Sequence, residues 1–81
     1  MKVTVCLFAA VREIANASSL SMDLPMNSSA GAVLESLIHS FPALRAYRGY
    51  VRIAVNRQYV DETHRLREND EVAVIPPVSG G

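Results

Sequence analysis

The spacing of hydrophobic residues along the chain distinguishes strands from helices. Residues 2–8 are rich in β-branched and aromatic types and too few for an independent helix, so they predict a strand. Its apolar residues fall on both faces, which predicts a central position in the sheet, covered on one side and at least partly covered on the other. Residues 9–16 contain helix formers and end at Asn16, which predicts a short helix or helical turn. Alternation of apolar and polar residues over 18–24 predicts a second, half-buried strand.

The clearest helix covers residues 29–40, where apolar residues recur at helical spacing. Ser28 or Ser29 is expected to cap it by accepting hydrogen bonds from the free backbone N–H groups at its start. The helix is expected to end at Phe41, because Pro42 disfavours helical geometry in the residue before it.

From residue 51 onward the hydrophobic period is two, which predicts strands. Residues 51–55 form one strand, Asn56-Arg57 is a plausible tight turn, and residues 58–60 return as a short strand. A final strand covers residues 71–75 and ends at Pro76, because proline has no N–H to donate to a sheet. The order of elements predicts an α+β domain, with one main helix across a mixed sheet.

Length and charge limit the classes of function. A chain of 81 residues is one domain and is too small to enclose a deep pocket, which argues against a self-contained enzyme. Eight basic and eight acidic residues give a formal net charge of zero, unlike a binder of nucleic acid or anionic membrane.

The charge is nevertheless uneven along the chain. Residues 45–67 carry six arginines and two carboxylates, a local charge of +4. A solvated arginine-rich face is the favoured interpretation, and a docking surface for an acidic partner is the alternative. The six arginines are Arg45, Arg48, Arg52, Arg57, Arg65 and Arg67.

The cysteine content indicates the compartment. Cys6 is the single cysteine, which excludes an internal disulfide and suits a reducing cytoplasm. Its apolar neighbours in residues 3–8 predict a buried core thiol and not a nucleophile. The N-terminal residues contain no apolar run long enough for a signal peptide or a membrane span.

The chemistry that the chain offers is concentrated in its last residues. His39 and His64 are predicted on the surface, and the sequence has no metal-spaced Cys/His set and no glycine-rich phosphate loop. Pro76-Pro77 favours a stiff extended spacer, and five extended residues reach about 17 Å. Gly80-Gly81 carries no side chain to obstruct a narrow channel. The group presented is the α-carboxyl of Gly81, an anion and therefore a poor electrophile that needs activation, usually as an acyl-adenylate.

Four segments together resemble one known family. They are Phe8-Ala9-Ala10-Val11-Arg12-Glu13, Ala54-Val55-Asn56, Asn69-Asp70-Glu71-Val72 and Pro76-Pro77-Val78-Ser79-Gly80-Gly81. In combination they resemble the small, sulfur-carrying subunit of molybdopterin synthase, the MoaD type, over essentially the whole chain. The resemblance implies a ubiquitin-like β-grasp fold over residues 1–76 and an extended tail over residues 77–81. Many relatives have glycine where Asn69 stands, and asparagine accepts the same left-handed conformation.

The resemblance also implies a mechanism. A ubiquitin-activating-like adenylyltransferase would use Mg-ATP to convert Gly81 to a glycyl adenylate. Sulfur from a persulfide system would then replace AMP and leave a thiocarboxylate, 1-thioglycine. The tail would enter the large subunit of molybdopterin synthase and transfer sulfur to cyclic pyranopterin monophosphate, forming the molybdopterin dithiolene. Two small and two large subunits would assemble, and this chain would bind no cofactor, metal, nucleic acid or membrane.

Site residues follow from the same resemblance. Gly81 would be the reactive residue, while most catalytic groups would belong to the large subunit. Phe8 and Ile75 would contact the partner if they are exposed beside the tail; the alternative is that both lie in the core, and the pattern does not choose between them. The inserted segment would be Pro76, Pro77, Val78, Ser79 and Gly80.

Other functions remain open on the sequence. The chain could be a protein modifier conjugated through Gly81 to lysines on targets, which requires the same activation chemistry. It could also be the sulfur carrier for thiamine thiazole synthesis, although such carriers are typically shorter and lack the first and last of the four segments. A plain interaction domain without tail chemistry is the remaining alternative.

Overall fold

The computed structural model describes residues 1–77, and its strands and main helix follow the predicted order. A 3-10 helix over Pro42–Tyr47 was not predicted, because a six-residue segment with one fully buried residue, Leu44, shows no clear hydrophobic period. No helix in residues 1–77 is long and apolar enough to cross a membrane. The elements are β1 (Lys2–Leu7), α1 (Ala9–Ala15), β2 (Ser19–Asp23), α2 (Ala30–Ser40), β3 (Arg52–Val55), β4 (Gln58–Val60) and β5 (Glu71–Ile75).

The five strands form one mixed sheet in the order β2-β1-β5-β3-β4. β1 and β5 pair in parallel at the centre, and the other neighbours pair antiparallel. The first and last strands of the described chain are therefore adjacent. The predicted α+β architecture with a mixed sheet is confirmed.

The hydrophobic core lies between one face of the sheet and the helices. Strand residues alternate between the two faces, so every second side chain of β1 and β5 is buried while its neighbours are more exposed. The apolar stripe of α2 packs into the same core. Its most deeply buried members are Val3, Val5, Leu7, Val33, Leu34, Leu37, Val72 and Val74.

The second face of β1 is only partly covered. Lys2 and Thr4 are exposed there, and Cys6 is half-buried instead of lying in the core. The position of β1 inside the sheet is nevertheless correct, because β2 and β5 flank it. Partial burial, reinforced by the charge of Glu71, raises the pKa of the Cys6 thiol. A raised pKa disfavours the thiolate, which agrees with the prediction that Cys6 is not a nucleophile.

The start of α2 is capped by backbone and not by a serine side chain. Ser29 is the N-cap residue but makes no side-chain cap, and the Ser28 hydroxyl donates to the carbonyl of Pro25 at 2.7 Å. The first helical N–H groups instead donate to loop carbonyls: Ala30 to His64 at 2.8 Å and Gly31 to Glu62 at 2.9 Å. The loop over residues 61–66 thus replaces the expected cap, and the helix ends at Ser40 as predicted.

Left-handed residues form the turn between β3 and β4 and the turn before β5, and hydrogen bonds join these two turns. Asn56 and Arg57 have φ of 51° and 72°, which suits the predicted two-residue hairpin turn, and Asn69 has φ of 69°. Asn56 Nδ2 donates to Asp70 Oδ1 at 2.9 Å, and the backbone N–H of Glu71 donates to Asn56 Oδ1 at 3.0 Å. Two of the four recognised segments therefore meet in one hydrogen-bonded cluster.

Candidate functional site

β5 leads the chain from the centre of the sheet to the edge where the tail begins. Parallel strands have their carboxyl ends at the same edge, so the end of β5 lies beside the end of β1. Pro76 is buried at this edge and Pro77 is exposed. Val78, Ser79, Gly80 and Gly81 lie outside the described residues, so the extended tail over residues 77–81 stays a prediction.

An apolar groove of about 610 Å³ opens where the tail begins. We call it the tail groove. It is built from the β1–α1 junction, the end of the 3-10 helix and the end of β5. Its lining residues are Phe8, Ala9, Ala10, Tyr47, Ile75, Pro76 and Pro77. Only Tyr47 among them carries a polar group, so the groove offers a surface for docking and no acid–base chemistry.

The structure brings Phe8 and Ile75 together in the tail groove. Leu7 is fully buried at the end of β1, and Phe8, the next residue, points outward with 45% of its surface exposed. Ile75 is half-buried at the end of β5, where it pairs with Arg52 of β3. Neither residue belongs to the buried core cluster. The sequence could not decide whether Phe8 is exposed beside the start of the tail or buried in the core, and the structure shows that it is exposed.

The residue after Phe8, Ala9, has an unusual backbone conformation. Ala9 has φ of 49°, a left-handed conformation that costs a residue with a Cβ roughly 1–2 kcal/mol. It follows Phe8, the N-cap of α1, whose carbonyl accepts from Val11 at 3.1 Å and from Arg12 at 3.3 Å. The strained turn thus lies within the groove, and such strain is often found at functional sites.

The remaining candidate residues do not form a catalytic site. His39 and His64 are exposed, as predicted. Residues 1–77 contain no group of three His, Cys, Asp or Glu side chains placed to hold a metal ion.

Sequence reasoning missed Tyr47, Ala9 and Ala10 as groove residues. Tyr47 ends the 3-10 helix that the hydrophobic pattern did not reveal. Ala9 and Ala10 belong to the recognised segment that starts at Phe8, so that segment was the signal for them. The sequence alone did not indicate that these three residues and the prolines share one concave surface.

Comparison with known proteins places the chain in a family. The ThiS family matches residues 5–81. This chain belongs to the ThiS family. The molybdopterin synthase sulfur carrier subunit of Arabidopsis thaliana is 35% identical over 81 residues, covering 100% of this chain and 84% of that protein. The protein of the same name from Aedes aegypti is 40% identical over 89 residues, covering 100% and 90%. The resemblance inferred from the four segments is confirmed.

Several solved structures share the fold of this chain. SAMP1 from Haloferax volcanii superposes with a TM-score of 0.87 at 26% identity, covering 100% of both chains. Small archaeal modifier protein 1 (SAMP1) from Methanosarcina acetivorans gives a TM-score of 0.80 at 31% identity, covering 99% of this chain and 96% of that one. A complex of subunits 1 and 2 of the molybdopterin-converting factor from Helicobacter pylori contains a chain with a TM-score of 0.71 at 23% identity, covering 100% of both. The predicted β-grasp fold is confirmed.

Proposed function

We propose that this chain is the sulfur-carrier subunit of molybdopterin synthase. The observation that carries the proposal is its similarity, over the full length, to molybdopterin synthase sulfur carrier subunits at 35% and 40% identity. The end of β5 supports it, because this strand leads directly from the centre of the sheet into the proline pair, where the predicted tail begins. A reactive terminus carried on a rigid strand can be delivered into another protein's active site.

Gly81 is the proposed site of chemistry. Its carboxylate attacks the α-phosphate of Mg-ATP in the activating enzyme, forming the glycyl adenylate and releasing pyrophosphate. A persulfide sulfur then attacks the acyl carbon and displaces AMP, and reduction of the resulting acyl disulfide by a thiol leaves the thiocarboxylate. ATP and magnesium belong to the adenylyltransferase in this scheme, and this chain binds no cofactor of its own.

The thiocarboxylate then donates its sulfur to cyclic pyranopterin monophosphate in the large subunit. The dithiolene holds two sulfur atoms, so two charged carriers are consumed for each molecule of product. Pro76 and Pro77 start the inserted segment, and Val78, Ser79 and Gly80 continue it to Gly81. The absence of side chains at Gly80 suits a narrow channel.

The tail groove is the proposed contact with the large subunit. Exposed aromatic residues are enriched at protein interfaces, and Phe8 lies beside the point where the tail leaves the sheet. A partner that surrounds the tail therefore covers Phe8 and Ile75 at the same time. The Helicobacter pylori complex of subunits 1 and 2 provides a precedent among proteins of this fold. We propose an assembly of two small and two large subunits, located in the cytoplasm.

Mass spectrometry of the intact protein tests the proposal. The chain is incubated with Mg-ATP, a matching adenylyltransferase and a sulfur source. We expect the mass increase that accompanies replacement of one oxygen by sulfur, and no increase when Gly81 is deleted. An unchanged mass, with the same enzyme competent on a known carrier, would overturn the sulfur-carrier function.

A second candidate is a protein modifier conjugated through Gly81. The specific observation in its favour is the 31% identity to a small archaeal modifier protein that covers nearly all of both chains. Cells that express a tagged form should show a ladder of covalent adducts if the chain is a modifier. A carrier should give free protein and one tight non-covalent partner. The family match alone also allows a third function, sulfur transfer in thiamine thiazole synthesis. Measuring sulfur transfer from the charged chain to each acceptor in vitro distinguishes the two sulfur-carrier functions.

A further inference from the structure

Exposed aromatic residues lie on both sides of the place where the predicted tail begins. β5 is flanked by β1 on one side and by β3 on the other. Phe8 follows the end of β1 and lines the tail groove. Tyr50 comes shortly before the start of β3, and 68% of its surface is exposed. The proposed contact through Phe8 and Ile75 covers the β1 side, and Tyr50 marks the β3 side.

The pairing of β3 with β5 places Tyr50 at the edge of the sheet where the predicted tail begins. These two strands are antiparallel, and Arg52 pairs with Ile75. Tyr50 lies two residues before this pair on one strand, and Pro77 lies two residues after it on the other. Because antiparallel partners run in opposite directions, the start of β3 and the end of β5 share one edge of the sheet. Tyr50 and Pro77 therefore lie at the same edge.

The turn that carries Tyr50 is also joined to the tail groove. The backbone N–H groups of Tyr50 and Val51 donate to the carbonyl of Tyr47, at 2.8 Å and 3.1 Å. Tyr47 ends the 3-10 helix and lines the groove. Backbone hydrogen bonds thus connect Tyr50 directly to a groove residue.

Side chains from other elements hold this turn. Arg48 pairs with Glu35 of α2 and with Glu62 of the loop over residues 61–66. Its backbone N–H donates to the carbonyl of Arg45 at 3.2 Å. Each exposed ion pair contributes little to stability by itself, but the two pairs join the turn before Tyr50 to two other elements. A turn that is already ordered loses less conformational entropy when a partner covers it.

We propose that Tyr50 is a second aromatic contact for the large subunit of molybdopterin synthase, on the opposite side of the tail from Phe8. This inference rests on the proposed function, in which the large subunit receives the tail. A protein that encloses the tail meets the β1 side and the β3 side of the place where it leaves the sheet. Tyrosine suits such a contact, because its ring offers a large apolar area and its hydroxyl can form a hydrogen bond with the partner.

Calorimetric titration of the large subunit with the chain in its carboxylate form tests the inference. Tyr50→Ser should weaken binding at least about fivefold, as expected for a buried aromatic contact. Tyr50→Phe keeps the ring and should bind within about twofold of the parent protein. A loss in Tyr50→Phe as large as in Tyr50→Ser would contradict a contact through the ring.

Met26 offers a matched control at the other edge of the sheet. It is 72% exposed and follows β2, whose last residue, Asp23, pairs with Lys2 at the start of β1. Met26→Ser should therefore change the affinity less than about twofold. Thermal unfolding of the same preparations shows whether each variant is folded, and both exposed positions should leave the melting temperature within about 1–2 °C of the parent.

The outcomes separate the contact at Tyr50 from the proposed function. Unchanged affinity of Tyr50→Ser, or an equal loss in Met26→Ser, would overturn the contact while the parent protein still binds the large subunit. Slower adenylation of Tyr50→Ser with unchanged affinity for the large subunit would also overturn it, and would assign Tyr50 to the activating enzyme. A parent protein that does not bind the large subunit would overturn both the contact and the proposed function.

Discussion

The two ends of β5 differ in what holds them. At its start, Glu71 and Asp70 are held by hydrogen bonds to Asn56, and polar side chains satisfy one another. At its end, Ile75 and Pro76 line an apolar groove with the exposed ring of Phe8. The first end uses polar groups to fix the strand, and the second leaves apolar surface uncovered. The start of β5 therefore serves stability, and its end is the contact that we propose for the large subunit.

Changing the tail itself should have the largest effect on activity and the smallest on folding. Deletion of Gly81, or addition of one residue after it, should abolish pterin conversion, because the reactive carboxyl is removed or displaced. The melting temperature should stay within about 1–2 °C of the parent, since termini contribute little to stability. Conversion assays and thermal unfolding of the same preparations measure both. Full activity in either variant would contradict a role for the terminal carboxyl.

Truncating Phe8, at the apolar end of β5, should weaken binding to the large subunit without lowering the stability of the fold. Phe8→Ser should weaken affinity for the large subunit by at least about tenfold, as expected for an aromatic interface residue worth about 1.4 kcal/mol or more. Unfolding free energy should change little, because Phe8 is not part of the core. Tyr59→Ser, at a similarly exposed aromatic on the outer side of β4, is the matched control. Calorimetric titration measures the affinity of both variants for the large subunit. An equal loss of affinity in Tyr59→Ser would contradict a specific role of the tail groove in binding.

Adding one methyl group at Gly31 tests how rigidly the loop over residues 61–66 is packed against the start of α2. A Cβ at Gly31 would lie 3.0–3.3 Å from Glu62 atoms, including its backbone oxygen. Gly31→Ala should therefore cost about 1–3 kcal/mol of unfolding free energy by overpacking. Gly49→Ala meets nothing within 4 Å and is the control. Denaturant unfolding compares the two, and equal stability of both alanine variants would show that the loop yields freely.

Removing the Asn56 side chain should lower stability at the polar end without affecting the tail. Asn56→Gly keeps the left-handed backbone and removes two hydrogen bonds, which should cost about 1–2 kcal/mol of unfolding free energy. Asn56→Ala should cost roughly 1 kcal/mol more, because its Cβ opposes positive φ. The affinity of the folded glycine variant for the large subunit should equal that of the parent protein. Denaturant unfolding and binding are measured on the same preparations. A loss of affinity in Asn56→Gly without a loss of stability would contradict the different roles assigned to the two ends of β5.

The sequence predicted the elements that depend on local pattern. The period of two in β3 and β5, the apolar stripe of α2 and the asparagine turn at 56–57 follow from neighbouring residues alone, and the structure confirms them. The exposure of Phe8 and the half-burial of Cys6 depend on which elements cover each face of the sheet. No local pattern contains that information.

The helix cap shows the same limit at a single residue. Serines at 28 and 29 made a side-chain cap plausible, yet loop carbonyls more than thirty residues away accept those hydrogen bonds. Ser28 is thereby free to donate to Pro25. The tail chemistry was a different case, since it was inferred from residue types and from four recognised segments and not from packing.

The parallel pairing of β1 with β5 has a consequence for synthesis on the ribosome. β5 lies in the middle of the sheet, so a nascent chain that lacks residues 71–75 is missing a central strand and not an edge. The sheet cannot be completed until the residues just before the tail have left the ribosome, because folding needs a contact between the two ends of the domain. A prematurely terminated product would have neither a closed sheet nor a tail. The order of strands therefore couples completion of the sheet to synthesis of the residues just before the predicted tail.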